Sequence, residues 1–282
     1  MLSDVVGYLR CPVCRAGLVL EGQAVRCPDG HSFDVSRHGY VSLLGGGDRA
    51  ASADTVAMIE AREAFLGSGH FASLAGQLVR IGEQCKGDVS SAGCIVDVGG
   101  GTGYYLAALV QRDPERAGIV LDVSKYAARR AARAHPRIGA VVADTWQPLP
   151  VRDEAAALVL NVFAPRNAAE FHRMLRPDGA LIIVTPTARH LRELVGELDL
   201  LGVDTDKESR LSDQLSGHFT LVSAETHERA MQLSADAIEA VIGMGPSAHH
   251  TAAAALRGRI DRLPEPFAAT LSVTVATYQK RL

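Results

Sequence analysis

Between positions 94 and 186 short apolar runs recur at regular intervals: "CIVDV", "GIVLDV", "GAVVAD", "ALVLNVF" and "GALIIVTP". Each is rich in branched side chains and nearly continuous in apolar character, where a half-solvated strand would alternate with polar residues. Strands of that kind are covered on both faces, as in a parallel sheet. Between them, helical spacing of apolar positions predicts helices over about 103–112, 124–135, 167–175 and 189–201. The carboxyl-terminal part adds "FTLVSAETHERAMQL", a helix near 234–243, another near 251–262, and a last strand in "FAATLSVTVATYQK". The pattern predicts an α/β fold built on a seven-stranded, doubly wound sheet.

The front of the chain breaks this rhythm. Cys11-x2-Cys14, a 12-residue interval and Cys27-x3-His31 match the spacing of a Cys3His zinc site, in which each short pair points two donors at one tetrahedral ion. The intervening "RAGLVLEGQAVR" has the form of two short strands about a glycine turn. About 45 residues bury too little apolar area to fold alone, and a closed four-ligand metal site is the usual remedy. The ion is therefore expected to be structural. A strand-like run follows at Tyr40 to Leu44, and then "GGGDRAASADT", a linker composition. Ser52 or Asp54 is expected to cap a helix reaching about Leu66, closed by Gly67 and Gly69, before a second helix from Phe71 to about Cys85. These divisions give a zinc-binding module over residues 1–45, a linker and helix over 46–70, and the α/β domain over 71–282.

Composition narrows the class. In a chain of 282 residues, a hydrophobic fraction of 47% is that of an ordinary globular protein. No apolar run approaches the roughly 18 residues of a membrane span. The amino terminus lacks a signal-like basic and apolar segment, so a cytoplasmic protein is expected. Five cysteines, three of them within the first 27 positions, suit a metal better than a disulfide framework. A net charge of −3 provides no general attraction to nucleic acid, so any RNA contact must rest on local charge.

The candidate chemistry lies at the carboxyl ends of the predicted strands. The first strand runs into Asp97-Val98-Gly99-Gly100-Gly101-Thr102-Gly103, a D-x-G-x-G-x-G loop in which the backbone can turn sharply and approach a ligand. Asp122 ends the second strand, where a carboxylate can accept ribose hydroxyls; Asp144 ends the third, near where an adenine would lie. Singly, Asp122 is equally a helix cap and Asp144 a loop acid. As an ordered set they resemble class I methyltransferases that use S-adenosylmethionine, and "LRPDGALIIVTP" adds the turn and fifth strand usual in those enzymes.

Joined to the amino-terminal cluster, the segments "AREAFLGSGHF", "DVGGGTGYY", "LDVSK", "NVFAPRN" and "TPTARHL" are similar to the RlmA family along nearly the whole chain. The forms "VDVGGGTG" and "LNVFAPRN" lie nearest its actinobacterial branch, which includes a tylosin-resistance enzyme. The resemblance implies methyl transfer from S-adenosylmethionine to N1 of a guanine in a hairpin loop of 23S ribosomal RNA. It implies guanine 748 rather than guanine 745, with tylosin-type macrolide resistance, a structural Zn2+ and a homodimer. It also implies cofactor contacts from Phe71 and His190, with Phe71 replacing a tyrosine and Thr102 a glutamate of the enterobacterial members. "NVFAPRN" lies where this fold holds its target, which makes Asn161 the catalytic candidate and Phe163 a stacking surface. RNA contacts are expected from Arg10, Arg15, Arg26, Arg37 and His38 of the zinc module, or from Lys125, Arg129, Arg130, Arg133 and Arg137, whose bland alternative is a solvated helix face. Two other functions compete: a natural-product methyltransferase, and a non-catalytic ribosomal RNA assembly factor.

Overall fold

The computed structural model describes residues 1–45, 53–85, 93–200, 214–245 and 253–281. A first short helix α1 (Leu2–Val5) leads into a three-stranded antiparallel sheet of β1 (Val19–Glu21), β2 (Ala24–Arg26) and β3 (Ser32–Asp34). Gly22, at φ +60, makes the expected turn between the first two. The next strand, β4 (Tyr40–Ser42), leaves this small sheet and pairs in parallel with β7 (Ile138–Val142).

The main sheet consists of β4 and β7 with β5 (Cys94–Val98), β6 (Gly118–Asp122), β8 (Ala156–Val162), β9 (Leu175–Pro186), β10 (Phe219–Leu233) and β11 (Phe267–Lys280). Their order across it is β10-β11-β9-β8-β5-β6-β7-β4. Seven of these strands are the expected ones. The eighth, β4, comes from the amino-terminal segment. Strands β4 to β9 run parallel, and β11 lies antiparallel between β9 and β10. Every residue of β5, β6 and β7 is buried, as their continuous apolar character requires.

Seven longer helices cover the sheet: α2 (Val56–Gly67), α3 (Ala72–Gln84), α4 (Tyr104–Arg112), α5 (Lys125–Ala131), α6 (Ala168–Met174), α7 (Arg192–Leu198) and α8 (Ala235–Gly243), and α9 (Ala253–Ile260) follows. Thr55 caps α2, its Oγ1 accepting from the Met58 N–H at 3.3 Å. Of the two expected caps, Ser52 lies outside the described residues, and the Asp54 carboxylate is bonded to Arg62 instead. Helix α5 stops at Ala131, short of the expected 135, because Pro136 disfavours helix ahead of it. Its exit closes with tighter turns, Arg133 N–H to Arg130 O and Ala134 N–H to Ala131 O. Helix α7 starts at Arg192, later than expected, since Leu191 is left-handed at φ 52.

Alternate residues of the strands feed two cores, one on each face. Ile95, Val120, Leu160 and Ile182 point to one face with Phe65, Leu74 and Leu106. Val96, Ile119, Val141 and Leu181 point to the other, together with Val5, Leu9, Cys11, Leu18, Val25 and Val41. The amino-terminal 45 residues thus share a core with the sheet, although their sequence suggests a tethered module. At the closest approach, a Cβ added to Gly139 on β7 would stand 2.2 Å from Val5 Cγ2. Buried Arg10 reinforces the joint through Asp153 at 3.2 Å and Glu170 at 3.6 Å. Among the described residues no helix is long and apolar enough to cross a membrane.

Candidate donor site and metal centre

Strand β5 ends with Asp97 and Val98 and then turns through the glycine loop into α4. Glycine is required at Gly99 on two grounds: φ is +72, and an added Cβ would lie 2.4 Å from Ala164 Cβ in the loop after β8. At Gly100 an added Cβ would meet the Asp97 carboxyl at 2.6 Å. Gly101 and Gly103 also take positive φ, Gly103 stands at the amino end of α4, and Thr102 is half-buried between them.

Asp97 is 1% exposed, and among the described residues neither of its carboxyl oxygens has a hydrogen-bond partner. Burial, with the neighbouring Asp122 adding to it, pushes its pKa up to about 8. Asp122 is well partnered by contrast. Its Oδ2 accepts from the Gly101 N–H at 2.9 Å and its Oδ1 from the Ser124 N–H at 2.8 Å, tying the glycine loop to the start of α5. Burial raises the Asp122 carboxyl, and the two N–H groups act against it. Asp144 shapes its own turn, its Oδ1 accepting from the Trp146 N–H at 2.9 Å.

Three separate segments bring aromatic rings together beside this loop. Phe71 is 1% exposed; its ring centroid lies 6.4 Å from Phe163 and 6.0 Å from His190. Phe163 and His190 stack at 5.7 Å with 28° between their planes. Burial holds the His190 imidazole down to about 4, so it is neutral near pH 7. Its Nδ1 accepts from the Ser272 N–H at 3.3 Å, which leaves the proton on Nε2. Asn161 is fully buried and donates both amide hydrogens to backbone, to Val98 O at 3.0 Å and Pro165 O at 2.9 Å. Its Oδ1 has no partner among the described residues. The side chain pins the end of β5 to the loop carrying Phe163, so any contact to a target base is limited to that oxygen.

One charged residue at the loop is absent from the sequence expectation. Arg62, on α2, lies over the glycines, its Nη1 only 3.2 Å from a Cβ placed on Gly101. The guanidinium donates to Asp54 Oδ2 and, at 3.0 Å, to Met244 O; Ser124 Oγ in turn donates to the Asp54 carbonyl at 2.8 Å. No local motif marks Arg62, because α2 is far from the loop in sequence and meets it only through the fold. The orphaned acid at Gly100, able to ionise against an ammonium group, and the arginine at Gly101 suit the two ends of an α-amino acid. Asp122 has acceptor capacity left for vicinal hydroxyls. This donor set fits S-adenosylmethionine.

At the other end of the chain, the ligand atoms of Cys11, Cys14, Cys27 and His31 all lie within 4.8 Å of one another. The Cys14 and Cys27 sulfurs are 3.6 Å apart, and Cys27 Sγ is 3.3 Å from His31 Nδ1. A zinc tetrahedron with bonds of about 2.3 Å has edges of about 3.8 Å, so the cluster fits that ion. Left-handed Arg15 (φ 66) and Gly30 (φ 84) make the two knuckles.

Comparison with known proteins finds matches over both parts of the chain. A family model described as RlmA, N-terminal, matches residues 9–46, and a methyltransferase-domain model matches residues 95–179. A Streptomyces fradiae protein named 23S rRNA (guanine(748)-N(1))-methyltransferase is 48% identical over 274 residues, covering 97% of each chain. A Micromonospora griseorubida relative, provisionally named a 23S rRNA (guanine-N(1)-)-methyltransferase, is 47% identical over 295 residues and 99% of each chain. A Bacillus subtilis relative with the same provisional name is 31% identical over 278 residues. With likeness of this extent over both halves, the chain belongs to the RlmA family of 23S rRNA (guanine-N1)-methyltransferases.

Proposed function

We propose that the protein transfers the methyl group of S-adenosylmethionine to N1 of a guanine in a 23S ribosomal RNA hairpin loop, at guanine 748, in the cytoplasm. In this reading it contributes to tylosin-type macrolide resistance and acts as a homodimer. The observation that carries the reading is 48% identity over 97% of both chains to the S. fradiae guanine-748 enzyme, joined to a glycine loop whose charges suit the donor.

The donor, when bound, supplies an electrophilic methyl on its sulfonium. Asp97 and Arg62 hold the ammonium and carboxylate of its amino-acid end, and Asp122 takes the ribose hydroxyls. The Asp144 carboxyl borders the adenine, held by the backbone N–H of Trp146 and not by the indole. Phe71 and the neutral His190 close the methyl side with an apolar, uncharged wall, which keeps water from the transfer line. Alignment of N1 with that line is the main catalytic demand. The N1 proton must leave as the bond forms. Asp122 is engaged by backbone N–H groups, Asp97 is enclosed and the His190 lone pair is spent. The proton therefore goes to solvent, and Asn161 contributes by setting the loop that presents Phe163.

The test is labelled-methyl transfer to 23S transcripts and to small acceptors, with primer extension to map the product, since a methyl on N1 blocks base pairing. Label confined to a small acceptor, or no turnover with RNA at all, refutes the reading. Sedimentation of the protein alone tests the dimer.

A further inference from the structure

The chain has one tryptophan, six tyrosines and seven phenylalanines, all within the described residues. Only three of these rings are exposed: Tyr126 at 38%, Trp146 at 66% and Phe163 at 41%. Each directly follows the carboxyl end of a different strand. Tyr126 lies in the first turn of α5 after β6, Trp146 in the turn after β7, and Phe163 immediately after β8. The exposed rings therefore gather on the rim where the donor site opens. Phe163 is held there at φ +54, a costly conformation for a bulky side chain.

A second feature adjoins this rim. Of the arginines singled out by sequence, several are consumed by structure: Arg10 in its buried ion pairs, Arg26 with Glu21, Arg130 with Glu63 and Glu60, Arg137 on backbone carbonyls. Arg37, Arg129 and Arg133 are exposed, and among the described residues no carboxylate pairs with them. The fold brings these three together from segments about 90 residues apart in sequence. The loop before β4 packs on the exit of α5, a Cβ on Gly39 falling 3.6 Å from Ala132 Cβ. His38 lies 3.5 Å from both Arg37 Nε and Arg133 Nη2. Burial, then Arg129, Arg37 and Arg133, hold its imidazole below its usual range. Tyr126, Arg129 and Arg133, spaced i, i+3, i+7, share one side of α5 and its exit turn, about 10 Å from end to end.

We propose that this continuous surface is where the RNA docks. Unpaired loop bases stack on Trp146, Tyr126 and Phe163 at the rim, while Arg37, Arg129 and Arg133 take stem phosphates along the α5 flank. Aromatic faces suit splayed bases of any identity, and uncompensated arginines suit a phosphate backbone. The zinc ribbon then acts on RNA by setting the Arg37–His38 loop against α5. This inference rests on the RNA-methyltransferase reading above.

The test measures binding of a fluorescent 23S hairpin across a salt series, with calorimetry of S-adenosylhomocysteine as the donor-side control. Trp146→Ala is expected to weaken hairpin binding about 10-fold or more and to leave the donor analogue unchanged. The triple variant R37Q/R129Q/R133Q is expected to lower the slope of log affinity against log salt by about 2, since each phosphate contact contributes about 0.7–0.9. A fully paired duplex of the same sequence should lose the Trp146 dependence and keep the arginine dependence. An unchanged salt slope, or a Trp146→Ala variant that loses donor analogue and RNA alike, overturns the proposal. If the wild-type protein neither binds nor methylates the hairpin, the function itself falls; if it methylates and the variants match it, only the docking surface does.

Discussion

Replacing Asp97 by asparagine should stabilise the cofactor-free protein while destroying its grip on the donor. The Asp97 carboxyl is 1% exposed, has no partner on either oxygen among the described residues, and is pushed from 3.8 up to about 8. Because the folded pKa is raised, the native state holds a proton that the unfolded chain releases above pH 4. Stability is therefore lost as pH rises from about 4 to about 8, and is level beyond. At pH 7 the gap of roughly 3 pKa units amounts to about 4 kcal/mol. Asparagine has the same shape and no charge at any pH, but its unpaired N–H2 costs about 1–2 kcal/mol. The net gain is on the order of 2 kcal/mol, or roughly 5 °C in melting temperature for a chain of this size. Thermal melts of stripped wild-type and Asp97→Asn protein from pH 4 to 9 should show a gap that opens with pH and saturates near 8. Calorimetry should show at least a 10-fold loss of S-adenosylhomocysteine, and in wild type an affinity that rises towards pH 8 as Asp97 ionises to meet the ammonium. A variant no more stable than wild type at pH 8, or a gap independent of pH, would mean that Asp97 is already compensated, and its role at the amino end of the donor would fall with it.

Three further outcomes follow from the same geometry. Arg62→Met should weaken S-adenosylhomocysteine about 10- to 100-fold and leave 5′-methylthioadenosine, which lacks the amino-acid end, unaffected; equal losses for both ligands would return Arg62 to a purely structural role. Gly139→Ala should cost about 1–3 kcal/mol in urea unfolding by driving a methyl into Val5, and Val5→Ala on top of it should recover part of the loss; simple additivity would show that α1 does not sit on β7. Chelation of the metal, or Cys27→Ser, should lower the unfolding midpoint of the whole chain in one transition, since Cys11, Leu18 and Val25 share a core with Val96 and Ile119; an early separate transition, with donor binding intact, would show an independent module instead.

How much of this was legible depends on the range of each interaction. The metal ligands lie within two short spacings, and a knuckle is a local geometry, so four residues sufficed to name the ion. The parallel sheet followed from continuous apolar runs, because strands buried on both faces cannot carry alternating polar residues. The acids at the ends of β5, β6 and β7 were visible for the same reason: each is read relative to its own strand. Other features are long-range and had no local signal. Tyr40–Ser42 looked like part of a separate module, and only the open edge of β7 made it an eighth strand. Arg62 belongs to a helix that sequence assigns to a linker, and it reaches the glycine loop only because α2 folds back across it. Asn161 looked available for catalysis until its amide was found bonded to Val98 and Pro165. The basic residues looked alike as a list; packing decided which charges were spent inside the protein and which were left facing solvent. Residue order thus determined the donor chemistry, the metal and the family, each encoded in motifs a few residues long. Tertiary structure decided which charges line the glycine loop, which stay unpaired at the surface and how the zinc ribbon joins the sheet, because those depend on surfaces that exist only once distant segments have packed.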